Sequence, residues 1–510
     1  MKSMGKGIVS VLMVCVLFLA GCNAGTTGNP ATEPSTTDAG GNEEVVLTFW
    51  AAGDWLKGED SPGQQTIKEF NEKYAGKIKV EGKYAPWSEH NTAIQAAFTS
   101  NDLPDLFHMP LGSDINKMVS QKMIQPLDGL VSDQWYGKFY DGSFVEGLNV
   151  VGGKTYTYPL SGPQLDSMLY YNKDVMKAAG LNPDQPPRTW DELRSMAKTV
   201  TDQGKGDIFG LVYGGGDVGY TLRLVGGLVS SADPTQGVVL TDGGLNLKKG
   251  QYTLTDPAWG EAIHLVLSMK EDGSILPSSY SLKHSEAGVL FGQGKAAFMI
   301  DGRWRMWQTK RDTPDASFGM SHVPSKVGNT PHVGYQLAPR AASIVVSATT
   351  KHPKEVGIFL EEAFAAEPFY KRYLASGVAL SPLPVINEDK NNYPYPEFES
   401  FAQIHDQVLR ISPNPLVRNP GFTGVTEEIG GFNQSKVKPT LDEVLQMIMT
   451  GAEKNPGAIL EDLNDKLNAG LSEVIMKVKA SGVDVSHDDL IFPNWDPAKD
   501  YTPQDYKALK

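Results

Sequence analysis

The sequence predicts an α/β protein built from two or more domains, and three observations support this. Between residues 45 and 107, strand-like apolar runs alternate with segments of helical periodicity, which is typical of parallel sheets covered by helices. Roughly 460 residues follow a polar spacer, which is more than one hydrophobic core usually holds. The apolar run Ala296–Ile300, bounded by Gly294 and Gly302, suits a strand that is buried on both faces.

The first 22 residues predict a secretion signal. Lys2 and Lys6 give it a positive start, and Ile8–Ala20 is an apolar segment too short for a permanent membrane span. Leu19-Ala-Gly-Cys22 matches the bacterial lipobox, which implies cleavage before Cys22 and lipidation of its thiol. The alternative is a plain secretion signal followed by a chance cysteine. We expect an exported protein, anchored by lipid to the outer face of the cell membrane.

The mature chain that this signal implies consists of a flexible tether followed by an acidic folded part. Cys15 lies within the signal, so Cys22 has no cysteine with which to form a disulfide. Residues 23–44 contain no apolar side chain larger than alanine and should form a flexible spacer. The formal charge is −14, and −16 once Lys2 and Lys6 are removed. This charge argues against a nucleic-acid partner.

The first predicted domain begins with alternating strands and helices, at residues 45–50, 64–74, 78–80, 91–100 and 103–107. In such sheets, ligands bind beyond the carboxyl ends of the strands. The polar and aromatic residues near these ends are therefore candidates for ligand contact, namely Trp50, Asp54, Trp55, Trp87 and His108. For each of them, a place in the core or at the rim of the cleft is the alternative.

Two glycine-rich loops in the middle of the chain resemble ion-binding motifs only superficially. The loop Asp202–Asp207 lacks the carboxylate spacing and the closing glutamate of a calcium loop, so we expect no metal there. The loop Gly214–Gly219 has neither the Gly-Lys-Ser/Thr ending of a phosphate loop nor the spacing of a dinucleotide site. Because it follows a predicted strand, we interpret it as a cleft loop in which Tyr213 and Asp217 are candidate ligand contacts.

The stretch that follows Ala296–Ile300 carries an unusual density of aromatic and basic residues. Trp304 and Trp307 share one face if a helix begins after Gly302. A flat indole suits the C–H face of a sugar ring, and Arg303 or Arg305 suits hydroxyl groups or the carboxylate of a sugar acid. The alternative is that both rings fill the core, and for Trp307 the two interpretations stay open.

Several short motifs resemble, in order and spacing, family 1 extracellular solute-binding proteins of the maltose-binding type. The matching segments are Leu47–Trp50 (LTFW), Pro104–Phe107 (PDLF), Met123–Asp128, Tyr171–Asp174 (YNKD), Thr189–Leu193 (TWDEL) and Gly294–Met299 (GKAAFM). One departure is Lys122-Met123, which stands where the family usually has a glycine. The resemblance extends over roughly residues 45–480.

This resemblance implies a two-lobe periplasmic-binding-protein fold, with a hinge of crossing strands and a ligand cleft between the lobes. On the family pattern, the first lobe is 45–160 plus 301–365 and the second is 161–300 plus 366–510. The implied function is that of a monomeric receptor, without a cofactor, that delivers a carbohydrate, expected to be an oligosaccharide, to an ABC transporter permease. The ligand-binding candidates that this interpretation adds are Asp105, Asp166, Arg303, Trp304, Tyr335 and Phe422.

Two other classes of protein remain as alternatives at this stage. A secreted glycoside hydrolase needs two carboxylates across a cleft, and the sequence has many acidic residues but no supporting motif. A receptor of the same fold could instead bind a peptide or a metal, although His and Cys are not clustered. We therefore expect a binding protein rather than an enzyme.

Overall fold

The computed structural model describes residues 43–110, 113, 115–236, 243–335, 343–434 and 436–509. The predicted signal, Cys22 and nearly all of the predicted tether lie outside these residues. Among the residues that are described, no helix is long and apolar enough to cross a membrane.

The strands of the described chain are β1 (Val45–Ala51), β2 (Ile78–Tyr84), β3 (Leu106–His108), β4 (Ile124–Gln125), β5 (Val150–Val151), β6 (Lys154–Thr155), β7 (Met168–Asn172), β8 (Phe209–Leu211), β9 (Leu245–Asn246), β10 (Gln251–Tyr252), β11 (Ala296–Asp301), β12 (Phe318–Ser321), β13 (Val333–Tyr335), β14 (Ile344–Ser347) and β15 (Leu409–Ile411).

The α-helices of the described chain span Pro62–Lys73, Trp87–Thr99, Ile115–Ser120, Asp133–Tyr136, Lys173–Ala178, Trp190–Gly204, Tyr220–Ala232, Pro257–Glu271, His284–Gly292, Trp304–Asp312, Pro353–Phe359, Glu367–Ala375, Pro384–Glu388, Glu397–Val408, Pro415–Arg418, Thr423–Ile429, Leu441–Thr450, Pro456–Ala480 and Pro503–Lys507.

Local sequence signals explain where several of these helices begin. The side chain of Thr189 accepts a hydrogen bond from the Glu192 backbone N–H while the Glu192 carboxylate accepts from the Thr189 backbone N–H, which forms a capping box. Asn455 caps the long helix Pro456–Ala480, whose leucines recur with helical periodicity and are buried.

The first sheet has the strand order β2-β1-β3-β14-β4. β1 runs parallel to β2 and β3, so the carboxyl ends of these three strands meet at one edge. β14 arrives from much later in the chain and pairs antiparallel with β3. Alternate residues of β1 are fully buried, and the burial fixes the register of its side chains.

The second sheet has the order β12-β7-β11-β8. All six residues of β11 are buried, as expected for a strand that is covered on both faces. β11 lies between β7, which is antiparallel to it, and β8, which is parallel. The mixed α/β architecture and the buried β11 strand confirm the predicted fold class.

The chain passes between the two sheets more than once. It leaves the first-sheet region after β6 and enters the second sheet at β7, and it returns between β12 and β14. The outgoing and returning segments touch where the Thr157 hydroxyl donates to the Ile344 carbonyl, at 2.8 Å. Beside them, β13 and β15 form a short parallel pair.

The division of the chain into lobe ranges stays a prediction, and the pairing of one strand differs from those ranges. β12 falls within 301–365, expected in the first lobe, but it pairs with β7 in the second sheet. The helices between residues 367 and 408, expected in the second lobe, line a hydrophobic cluster that contains residues of both sheets, among them Phe49 and Phe318. The pairing of β12 with β7 is a long-range contact, which motif order does not encode.

Candidate functional site

A cleft of about 1190 Å³ opens at the carboxyl-end edge of the first sheet. The loop that follows β1, the ends of β2 and β3, and the first turn of the helix Trp304–Asp312 all contribute to its lining. The segment Pro159–Asp166, which connects the two sheets, lies along it as well. The cleft therefore has one wall from each side of the molecule and a floor made by a crossing segment.

The wall next to the first sheet is built on Trp55. Its ring is 6% exposed and packs against Phe49, Phe364 and Phe369, with centroid distances of 6.0, 5.2 and 5.7 Å. A Cβ on Gly53 would lie 2.0 Å from the indole nitrogen, so the ring can occupy this position only because residue 53 is glycine. Trp55 is thus mainly a core residue whose edge reaches the cleft.

His108 and Trp87 extend this wall. Their ring centroids are 4.6 Å apart, and the Nε2 of His90 lies 2.7 Å from the His108 carbonyl oxygen. Because a carbonyl only accepts, Nε2 of His90 carries the proton. Burial lowers the pKa of His90, although the bond to His108 acts in the opposite direction. These contacts hold the end of β3 and the helix Trp87–Thr99 together beside the cleft.

The opposite wall is the start of the helix Trp304–Asp312, which follows β11 through Gly302. Trp304 and Trp307 are both partly exposed and both line the cleft, on one face of this helix. A Cβ on Gly302 would lie 2.5 Å from the Trp304 ring, so glycine permits the close approach of the indole to the backbone. A helix therefore begins just after Gly302, which is the condition under which the two indoles share one face.

Arg303 is held beside this wall by polar contacts. Its Nε donates to the Gln164 side-chain oxygen at 2.7 Å, and the Tyr170 hydroxyl donates to the carbonyls of Gly302 and Arg303 at 2.9 and 3.2 Å. Arg305, the other arginine considered for a sugar acid, is buried and forms an ion pair with Asp301 at 2.7 Å. It does not line the cleft, because consecutive helical residues point in different directions.

Among the described residues, the charged groups of the cleft carry an excess of negative charge. Their carboxylates are those of Asp54, Glu59, Asp60 and Asp166, and their cations are Lys57 and Arg303. Burial raises the pKa of Tyr84, and the charge of Asp54 and a hydrogen bond with it add to the effect. Burial likewise raises the pKa of Tyr335 and Tyr373. All three phenols therefore stay protonated near neutral pH and can donate hydrogen bonds.

The floor of the cleft rests on His405. Its Nδ1 lies 2.8 Å from the Phe401 carbonyl, and its Nε2 accepts from the Leu165 backbone N–H at 3.1 Å. The ring must be neutral to make both contacts. Burial lowers the pKa of His405 to about 4, a shift that the bond to Phe401 opposes and the charge of Arg303 reinforces. Gln164 and Asp166, on either side of Leu165, are positioned by this contact.

Apart from Trp55 and Trp307, which line the cleft as described above, twelve residues were predicted to contact ligand, and the structure brings seven of them together. Those that line the cleft are Asp54, Trp87, His108, Asp166, Arg303, Trp304 and Tyr335. The other five lie elsewhere, at Trp50, Asp105, Tyr213, Asp217 and Phe422. Each of these five makes contacts that explain its position.

Trp50 and Asp105 belong to the first sheet. Trp50 alternates with the buried Phe49 and lies under the Lys83 ammonium group, 4.4 Å from its ring centroid. The Asp105 carboxylate accepts from the backbone N–H and the hydroxyl of Thr48, at 2.8 and 2.9 Å. Asp105 therefore joins two strands at the amino end of β3, away from the ligand edge.

The remaining three residues make packing contacts or hydrogen bonds outside the first sheet. Tyr213 is 2% exposed and packs edge-on against Tyr280, and Phe422 is wholly buried near Phe432. The Asp217 carboxylate accepts from the His284 backbone N–H at 2.8 Å. Burial raises the pKa of Asp217, but the hydrogen bonds from His284 lower it by more, so the net shift is downward.

The cleft also contains residues that were not among the predicted contacts. Tyr84 ends β2, so the rule that led to Trp50 could have found it. Tyr373 comes from a helix far along the chain, and no local pattern indicates it. Trp307, for which core and cleft were both considered, lines the cleft. Within the described residues, no group of three or more His, Cys, Asp or Glu side chains could hold a metal ion.

Comparisons with known proteins agree with this architecture. Residues 54–368, more than half of the chain, match the family described as bacterial extracellular solute-binding protein. The sn-glycerol-3-phosphate-binding periplasmic protein UgpB of Rhizobium meliloti is 23% identical over 81% of this chain and 91% of its own. A binding protein of Brucella abortus is 29% identical over 41% of this chain, but the match spans only 46% of that relative.

Solved structures show the same arrangement of elements. The sugar-binding protein MalE of Xanthomonas citri superimposes with a TM-score of 0.60, covering 85% of this chain and 99% of its own at 16% identity. At this identity, the likeness concerns the fold. The two-lobe fold predicted from the sequence motifs is thereby confirmed.

Proposed function

This chain belongs to the bacterial extracellular solute-binding proteins, and on that premise we propose that its cleft captures a neutral oligosaccharide for an ABC importer. The observation that carries the proposal is the aromatic lining on both walls of a cleft of about 1190 Å³. This exceeds the roughly 300–1,000 Å³ of ordinary small-molecule pockets and leaves room for several sugar rings.

The chemistry of the lining supports a sugar ligand. Trp87 lines one side of the cleft and Trp304 and Trp307 the other, and indole faces complement the C–H faces of sugar rings. Between them, Asp54, Asp166 and other polar groups suit hydroxyl hydrogens, which charged acceptors bind strongly. Sugar hydroxyls are numerous and neutral, which matches a lining with many acceptors and few cations.

The excess of carboxylates disfavours an anionic ligand. Within the part of the chain that the structure describes, four carboxylates and two cations line the cleft, and Arg303 already donates to Gln164. Arg305, which could have paired with a sugar acid, is committed to Asp301. We therefore expect a neutral oligosaccharide to bind more tightly than glycerol-3-phosphate or an oligogalacturonate.

Lobe closure provides the mechanism of capture. The crossing segments beside the cleft are where the two halves of the molecule can rotate, in the manner of a hinge. A ligand shifts the equilibrium towards the closed form only through contacts that the open form does not make. Indoles on opposite walls provide such contacts, because both can contact one ligand only when the walls approach.

The cellular role completes the proposal. The predicted signal and lipobox place a lipid on Cys22, so that the tether would hold the receptor near its permease at the membrane. Cys22→Ala should release the protein from the membrane fraction without changing sugar affinity. If the variant stayed in the membrane fraction, lipidation at this residue would be excluded as the anchor.

A thermal-shift panel tests the ligand class. The panel contains maltotriose, xylotriose and raffinose, with glycerol-3-phosphate, a tripeptide and Ca²⁺ as comparators. A ligand present at a hundred times its Kd stabilises the folded state by about 2.7 kcal/mol, which is readily measured as a rise in Tm. We expect one neutral sugar to raise Tm, to be recovered unchanged by chromatography, and to reduce the radius of gyration in solution scattering.

Other results would redirect the proposal. Hydrolysis of the sugar would identify an enzyme, since the cleft contains carboxylates that could act as an acid and base pair. A rise in Tm with the tripeptide alone would identify a peptide receptor. An unchanged radius of gyration with a bound sugar would refute capture by closure.

A further inference from the structure

Arg223, which does not line the cleft, lies directly against a residue that does. It belongs to the helix Tyr220–Ala232, and only 12% of its side chain is exposed. The centre of its guanidinium group lies 4.5 Å from the centroid of the Trp304 ring. The arginine therefore covers one face of the indole that forms part of the cleft wall.

Polar contacts hold this guanidinium group in place. Its NH1 donates to the backbone carbonyl of Asp166, on the cleft floor, and its Nε lies 4.0 Å from the Asp301 carboxylate. Asp301 is fully buried and also accepts from the Gly302 backbone N–H and from Arg305, each at 2.7 Å. Arg223 thus connects the floor, the end of β11 and the turn from which Trp304 projects.

An aromatic pair lies next to the same guanidinium group. The Tyr220 ring centroid is 5.6 Å from its centre, and Tyr220 stacks on His284 with centroids 4.6 Å apart and planes only 10° from parallel. His284 is in turn bound by Asp217. The Trp304 ring and the stacked pair of Tyr220 and His284 together restrict how far the Arg223 side chain can move.

We propose that Arg223 is a positioning residue for ligand binding, which orients the Trp304 indole towards the cleft and ties it to the Asp166 segment. This inference rests on the proposed function, since it assigns a role to a contact beneath the same site. Arg223 touches no ligand in this scheme. It acts through Trp304, whose ring also lies close to the Gly302 backbone and has the centre of the Arg303 guanidinium group 5.9 Å from its centroid.

The chemistry requires arginine at this position rather than any cation. A planar guanidinium group can stack on an indole face while its in-plane N–H groups bind a carbonyl or a carboxylate. A lysine ammonium group keeps the charge near Asp301 but cannot stack in this way. Lysine should therefore preserve the electrostatic contribution to folding while it loses the orientation of the ring.

A spectroscopic experiment separates positioning from structural support. The protein has nine tryptophans, so labelling with 5-fluorotryptophan gives a resolvable ¹⁹F spectrum in which Trp304→Phe assigns the Trp304 resonance. We expect Arg223→Lys and Arg223→Met to shift or broaden this resonance and to leave the other eight essentially unchanged. Arg223→Lys should also keep the Tm of the wild type within a few degrees.

The helix Trp304–Asp312, which carries both cleft tryptophans, offers a matched control. Arg311 lies over Trp307 at 4.5 Å, the same distance as Arg223 from Trp304. Arg311→Met should move the Trp307 resonance and leave that of Trp304 in place. This control shows whether the effect follows the particular arginine or any loss of positive charge near the helix.

Binding measurements complete the test with maltotriose, xylotriose and raffinose as probes. A misoriented Trp304 ring loses part of its contact with the ligand, so Arg223→Lys should weaken the binding of whichever sugar the wild type binds by about five- to tenfold, which corresponds to about 1–1.4 kcal/mol. An unshifted Trp304 resonance in both Arg223 variants would overturn the inference. If the wild type bound none of the sugars, the proposed function would fail, and the ¹⁹F spectra would still decide whether Arg223 orients Trp304.

Discussion

The two walls of the cleft hold their indole rings by different forces. Trp55, on the wall next to the first sheet, is packed among Phe49, Phe364 and Phe369. Trp304 and Trp307, on the other wall, each lie against a guanidinium group instead. Apolar packing makes the first wall part of the core. The second wall is stabilised mainly by a few directional contacts, so its rings can change without loss of the fold.

Replacement of Trp55 should therefore have the largest effect on stability. Trp→Ala in a core costs about 3–5 kcal/mol, and we expect Trp55→Ala to lower the free energy of unfolding by an amount in this range. Urea unfolding followed by circular dichroism measures it. Trp55→Phe, which keeps most of the apolar contact, is the control and should lose much less. A stability loss below about 1 kcal/mol in Trp55→Ala would show that this ring is not part of the core.

The floor between the walls should make stability depend on pH through His405. Its pKa is about 4 in the folded protein and about 6.5 when unfolded. Above pH 6.5 both states are neutral and the contribution is fully present. As pH falls from 6.5 to 4, the unfolded chain takes up a proton that the folded protein does not, so stability falls by about 3 kcal/mol in total.

Unfolding at pH 7.5 and pH 4.5 measures this dependence. In His405→Gln the difference in stability between the two pH values should be smaller than in the wild type by most of that amount. An NMR titration of the His405 ring provides a direct check that does not depend on the variant. A ring that titrates near pH 6.5 in the folded protein would contradict the assignment of a neutral, buried histidine.

Replacement of Trp304 should affect affinity more than stability. Loss of an aromatic platform removes stacking and buried contact worth about 2 kcal/mol, so Trp304→Ala should weaken sugar binding roughly 30-fold. Isothermal titration calorimetry with the sugar found by the thermal-shift panel measures this loss. The Tm should change by only a few degrees. If Trp304→Ala lost as much stability as Trp55→Ala, the Trp304 ring would belong to the core.

Trp50 should show the smallest effect, because it lies outside the cleft. Trp50→Leu removes an exposed contact with Lys83, worth about 0.5–1 kcal/mol of stability. Sugar affinity should stay within about twofold of the wild-type value, a change of less than 0.5 kcal/mol. A larger loss of affinity would mean that the ligand reaches the outer face of the first sheet.

Local sequence patterns predicted the positions of some site residues and not of others. Trp304 and Trp307 were found because a glycine turn, a buried strand and helical spacing are all local patterns. Trp50 was proposed for the site because it ends a predicted strand. Side chains alternate along β1, so the Trp50 ring lies on the opposite face of the sheet from the buried Phe49. Phe422 was suggested by the resemblance alone, and its ring is wholly buried.

Periodicity and local motifs were sufficient to predict the α/β class and the stretch that carries Trp304, because these depend on residues close together in the chain. The two-lobe plan was implied by the resemblance to a known family. The roles of Arg223, His405 and Tyr373 depended on contacts between segments tens to hundreds of residues apart. Such contacts are selected by packing and by the burial of charge, which act only once the chain has folded and which no local pattern encodes.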